Sequence, residues 1–114
     1  MEVKIDWKMN KKDHRIIEKP WEYKIKTFHY DCSSVDYLEH YIDISFEKEN
    51  IIRNLRFIAP RQLKIEEGFP QPTHGLEIID ISDRGLENVN VWVTDFEASN
   101  GAITFYSKDL IEIK

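Results

Sequence analysis

The chain is poor in cysteine: Cys32 is the single one in 114 residues. That excludes an internal disulfide framework and points to a reducing, cytoplasmic setting. Glycine and proline are also scarce, at four each, which excludes collagen-like and linker compositions. Gly68, Gly75, Gly85 and Gly101 stand singly, so no glycine-rich loop exists to cradle a phosphate. No stretch approaches the ~18 consecutive apolar residues of a membrane span. Charges at Glu2, Lys4 and Asp6 fall where a signal peptide would need its apolar run.

What is present describes one folded domain spanning residues 1–114. Hydrophobic residues make up 41% and charged residues 32%, and six Phe, five Tyr and three Trp are too many aromatics for a disordered tail. The net charge of -5 is unevenly spread. Residues 1–26 hold eight basic and five acidic groups, a balance of +3, and the remainder holds eight basic and sixteen acidic, a balance of -8. An acidic body repels phosphate backbones, so nucleic-acid binding is disfavoured, and the same body attracts a basic protein partner. Trp7 and Trp21 lie among lysines and could stack on bases, but they are better read as packing residues.

Most of the sequence reads as short strands. From Tyr37 to Phe46 the residues Leu38, His40, Ile42, Ile44 and Phe46 alternate with Tyr37, Glu39, Tyr41, Asp43 and Ser45, the period of a sheet with one buried face. Glu47 to Asn50 serves as a turn, and Ile51 to Ala59 completes a hairpin with Leu55 and Phe57 inward. Pro60 ends that strand. Further short strands are expected at Leu63–Ile65, Gly75–Ser82, Asn88–Glu97, Ala102–Ser107 and Leu110–Ile113. Asn10 to Lys19 fits one or two helical turns, with Asn10 as cap and Pro20 beyond the end. Ser33 to Tyr41 admits a helical reading through the Ser33/Asp36 spacing, but the alternation into Phe46 favours a strand. The expected architecture is mainly β, an antiparallel sandwich or curled sheet with room for one short helix. An α+β arrangement stands second. The expected core is Ile42, Ile44, Phe46, Leu55, Phe57, Trp92, Phe96, Ile103 and Phe105.

The densest reactive set is His29, Asp31 and Cys32. A thiol nucleophile needs a base within reach, and His29 is near in sequence. In an extended segment, however, the odd spacing of His29 and Cys32 sends them to opposite faces, and a buried inert thiol is the simpler reading. His14, His29, Asp31, Cys32, His40 and His74 show no paired metal-ligand spacing, so no metal and no cofactor is expected.

The last hairpin offers the best binding surface. A two-residue Asn100-Gly101 turn would set Phe96 opposite Phe105 and Asp95 opposite Tyr106. Trp92, Thr94, Phe96, Ile103 and Phe105 then share one bulky face, assigned to the core. Val89, Val91, Val93, Asp95 and Glu97 share the other with Thr104, Tyr106 and Lys108. Val91, Val93, Asp95, Glu97 and Tyr106 are therefore the candidate partner-binding residues, with an apolar centre and an acidic rim. A three-residue loop would change this register.

From Phe28-His29-Tyr30-Asp31-Cys32-Ser33-Ser34-Val35 the chain leads to a hairpin ending Leu55-Arg56-Phe57. Gly75-Leu76-Glu77-Ile78 and Gly101-Ala102-Ile103-Thr104-Phe105 follow. This order resembles small immunity proteins of bacterial polymorphic toxin systems, over about residues 28–113. Tyr30 between His29 and Asp31 departs from the expected His-Asp pairing. The resemblance implies a non-enzymatic inhibitor that binds one cognate toxin, and it carries over no catalytic residues. Two other classes compete with it: a small-ligand binder with a cavity lined by Ile42, Phe46, Phe57 and Trp92, and a hydrolase-like enzyme centred on His29, Asp31 and Cys32.

Overall fold

Alternation of Ile42, Ile44 and Phe46 with polar residues makes the second strand of the fold, and a tight turn folds the next strand back on it. The computed structural model describes residues 12–70, 75–96 and 101–113. Eight strands follow in order: β1 Lys24–Asp31, β2 Tyr41–Lys48, β3 Ile51–Ile58, β4 Arg61–Ile65, β5 Leu76–Asp80, β6 Val91–Asp95, β7 Ile103–Ser107 and β8 Asp109–Ile113. They form two four-stranded antiparallel sheets, ordered β1-β2-β3-β8 and β4-β7-β6-β5. The fold is mainly β, as the strand spacing predicts.

The β2–β3 turn is Glu49-Asn50, both with positive φ (53° and 68°), the twist a two-residue hairpin requires. It pairs Lys48 with Ile51 and, down the ladder, Ile44 with Leu55 and Ile42 with Phe57. The inward residues of both sheets meet in one core: Ile25, Ile42, Ile44, Phe46, Leu55, Phe57 and Leu110 from the first, and Leu76, Ile78, Val91, Val93, Ile103 and Phe105 from the second. The Phe57 ring meets Phe105 edge to face at 5.1 Å, joining the two layers. At Ser107–Asp109 the chain crosses between sheets, where Lys108 N donates to the Ile58 carbonyl and buried Ser107 Oγ donates to the Asp109 carbonyl.

Several expectations are corrected. Residues 12–19 form no helix. Asp13 bridges to Ile79, His14 N donates to the Ile78 carbonyl and Asp80 N donates to the Lys12 carbonyl, so this segment covers the edge of β5. Ile17 then enters the core, and a short 3-10 turn follows at Pro20–Glu22. Asn10, the expected cap, lies outside the described residues. The strand expected from Tyr37 begins at Tyr41, because Tyr37–Glu39 is a 3-10 turn capped by Asp36, whose carboxylate accepts from Leu38 N. β1 has no counterpart among the sequence-based strands. A register shift between Ile25 and Thr27 puts Ile25 and Phe28 on one side, three residues apart, which hides the period of two.

The largest correction concerns β6 and β7. Val91 pairs with Ser107, Trp92 with Tyr106 and Val93 with Phe105. That register is three residues away from the one a two-residue Asn100-Gly101 turn would give. An odd displacement exchanges the faces. The small valines are therefore the core residues of β6, while Trp92 and Phe96 stand on the outer face of the second sheet.

A candidate protein-binding face on the first sheet

The ladders of β1, β2, β3 and β8 set the outward residues of the first sheet in rows. One row reads Asp31, Tyr41, Ile58, Asp109; the next His29, Asp43, Arg56, Ile111; the third Thr27, Ser45, Asn54, Ile113. Polar residues thus occupy the β1–β2 half, and isoleucines gather toward β8. Ile52, one step further along β3, is 55% exposed and Ile111 is 41% exposed.

The polar half is bonded side chain to side chain. Arg56 grips Asp43 with two parallel hydrogen bonds, Nε to Oδ1 at 2.8 Å and Nη2 to Oδ2 at 2.9 Å. Its guanidinium lies 3.9 Å from the centre of the Tyr41 ring, a stacked cation–π contact. Tyr41 Oη donates to Asp31 Oδ2 at 3.2 Å, and Asp31 Oδ1 accepts from both N and Oγ of Ser33. Ser45 Oγ donates to Asn54 Oδ1 at 2.6 Å in the row below.

These bonds move the titrations. The Ser33 hydroxyl and amide, with Tyr41, hold the Asp31 carboxyl below the usual aspartate value. The hydrogen bond to Asp31 raises Tyr41, and Asp43 raises Arg56. The groups are half-buried at the surface and partly screened by solvent, so the pairs contribute modestly to stability. Their effect is geometric. Arg56, a long and adaptable side chain, is held in one orientation with three of its five donors still directed away from Asp43. A surface whose Arg and Tyr are already ordered loses less entropy on binding.

The residues assigned to a partner interface from the last hairpin are distributed differently. Val91 and Val93 are 2% and 1% exposed, inside the core, and cannot form the centre of a surface patch. Asp95 is half-buried at the end of β6, its Oδ1 accepting from Gly75 N at 3.0 Å. Tyr106 is half-buried on the outer face of the second sheet, stacked against Trp92 at 5.9 Å. Glu97 lies outside the described residues. The Trp92–Tyr106 pair packs against Ile79, Ile81 and Val89, a small apolar cluster on the outer face of that sheet. Trp92 therefore does not share a cavity with Ile42, Phe46 and Phe57, which belong to the central core.

Cys32 is exposed, not buried. His29 lies over the Tyr41 ring at 6.3 Å, and Asp31 is engaged by Ser33 and Tyr41. Among the described residues no hydrogen bond links His29 or Asp31 to the Cys32 thiol. His40 Nε2 bonds the Ser34 carbonyl at 2.7 Å and so carries the proton. His14 lies at a groove of about 740 Å³ lined by Asp13, Arg15, Ile17, Glu18, Lys19 and Trp21, and burial pushes its pKa down. Among the described residues no three acidic, histidine or cysteine side chains are grouped to hold a metal, and no helix is long and apolar enough to cross a membrane.

No family model, curated protein or solved structure matches the chain. The face is thus read from geometry alone. The sequence did contain its signal: a two-residue turn at Glu49-Asn50 sets Asp43 opposite Arg56, an oppositely charged cross-strand pair. Ile111 could not be placed the same way, because β8 pairs with a strand more than fifty residues earlier.

Proposed function

We propose that this chain is a non-enzymatic protein-binding domain, an inhibitor of a basic bacterial toxin domain in the manner of small immunity proteins. The observation that carries the reading is the outer face of the first sheet, where exposed Ile111 lies beside the ordered Arg56–Asp43–Tyr41 network and exposed Ile52 stands two rows further along β3. Apolar centres flanked by ordered Arg and Tyr are the composition of binding hot spots. Asp31, Asp43, Glu47 and Asp109 outnumber Lys24, Lys26 and Arg56 on this face by one, and the net of -8 after residue 26 extends the acidic field. Such a field steers a basic partner and speeds encounter. A single exposed cysteine suits a reducing cytoplasm.

The test is capture of partners on the immobilised chain, followed by kinetics on the recovered protein. Ile111→Asp is expected to raise the dissociation rate by about thirty-fold, the ~2 kcal/mol of a central contact, with folding intact because Ile111 is exposed. Asp31→Lys is expected to slow association, by a factor that shrinks as salt rises. Recovery of no protein, together with a small molecule retained on the purified chain, would replace this reading by that of a ligand binder.

A further inference from the structure

An edge strand offers unpaired backbone groups to any other strand, and folded proteins guard such edges with bulges, charges or covering segments. Three of the four edges here are guarded. β5 is covered by Lys12–His14. β4 has a register shift between Arg61 and Lys64, with Gln62 at a φ of 55°. β8 is five residues long and carries Asp109 and Glu112, the latter gripped by Arg53. β1 is guarded in its first half by the shift at Ile25/Thr27 and by Lys24 and Lys26, and in its second half carries one acidic residue, Asp31, at its very end.

From Thr27 to Asp31 the β1–β2 ladder is unbroken. Among the described residues, no backbone hydrogen bond other than those to β2 involves Thr27–Asp31. Tyr30, on the core side of the sheet opposite Ile42, is 36% exposed. Phe28, beside it, is only partly buried and meets Phe69 edge to face. An aromatic side chain on the core side of a regular, open edge lacks the neighbour that a further strand would supply.

We infer that the missing strand is β1 of a second copy, running antiparallel about a two-fold axis at His29. The segment is complementary to itself in that register. Phe28 falls opposite Tyr30 of the second copy, twice over, giving two aromatic cross-strand pairs on the core side. Thr27 falls opposite Asp31 on the outer side, a hydroxyl against a carboxylate, again twice. No carboxylate faces a carboxylate and no lysine faces a lysine. The two first sheets become one sheet of eight strands. The isoleucines of each copy lie at its far sides and stay uncovered, so this dimer does not depend on the proposed function.

The contact is small. Five paired residues make a strip about 17 Å long, well short of the ~800 Å² per partner of a standard interface. Such a contact belongs to the weak, transient class of interfaces. Each chain carries -5, so the two copies repel, and salt strengthens the dimer. A basic partner strand would give the opposite salt dependence.

Sedimentation equilibrium on the full chain, from about 10 μM to 1 mM at low and high salt, is the primary measurement. The expected result is a monomer–dimer equilibrium that shifts to dimer as salt rises. Tyr30→Lys is expected to weaken association at least tenfold while circular dichroism and melting temperature stay unchanged. In a Cys32→Ser background, His29→Cys is expected to form a disulfide-linked dimer on mild oxidation, faster than Tyr30→Cys. A monomer throughout the range overturns the inference. So does a dimer indifferent to Tyr30→Lys, or faster linkage through Tyr30→Cys than through His29→Cys.

Discussion

Replacing Phe57 by alanine tests the layered core directly. The ring is fully buried and its edge-to-face contact with Phe105 is the aromatic link between the sheets. Removal of a buried phenyl group costs about 3–5 kcal/mol in transfer and cavity terms. Of this, ~0.5–1.5 kcal/mol belongs to the ring pair. A domain of this length has a total stability of roughly 6–17 kcal/mol, so the variant is expected to fold but to melt some 10–25 °C lower. Urea unfolding should show a lower midpoint with an unchanged slope, because the surface exposed on unfolding is the same. A double-mutant cycle with Phe105→Leu isolates the pair, since each ring is removed with and without the other. A cost below ~1 kcal/mol for Phe57→Ala, or additive single and double variants, would refute the packing of these two rings across the sandwich.

The face exchange in β6 predicts that Val93→Lys, which buries an ammonium, costs more than ~4 kcal/mol and prevents folding at 37 °C, whereas Phe96→Lys, at an exposed position, costs under ~1.5 kcal/mol by thermal melting. Ser33→Ala removes the chief bond to Asp31, and NMR titration of that carboxylate should show its pKa rising toward the ordinary aspartate value. Because the native value is the depressed one, the stability contribution of Asp31 is present above the ordinary aspartate pKa and is lost as pH falls through the native value, and Ser33→Ala should flatten that acid limb. Glu49→Gly relieves a left-handed side chain in the β2–β3 turn and should raise stability by ~0.5–1 kcal/mol, read as a higher urea midpoint.

How far the sequence could be read depended on whether a signal was local. The Ile42-Ile44-Phe46 alternation and the short polar turn after it are local, and the first hairpin forms where they indicate. In β6 both faces are apolar, Val91 and Val93 on one and Trp92 and Phe96 on the other, so hydrophobicity cannot choose between them and only the loop length decides. Bulk was a poor guide there: the second sheet sets Trp92 and Tyr106 outside, against Ile79, Ile81 and Val89. β1 was hidden by its shifted register, and the segment before it by the capping-like Asn10 and Pro20, between which residues 12–19 form an isolated bridge at Asp13 and then turns. The polar network needed the β2–β3 register, which follows from a turn, and the isoleucine border needed the β3–β8 pairing, which nothing local specifies.

The order β1-β2-β3-β8 also has a temporal side. β3 is flanked by its nearest neighbour in the chain and by the last strand, with Asn54 paired to Ile113. During synthesis the β2–β3 hairpin can close early, in about 1–10 μs once exposed. One edge of β3 then stays bare, next to Phe57, until all of the second sheet has been made. Asp13, made before either strand of the hairpin, waits in its turn for Ile79 of the second sheet. Folding is therefore expected to be a single late event on the millisecond-to-second scale, with the half-made chain exposing its stickiest strand longest.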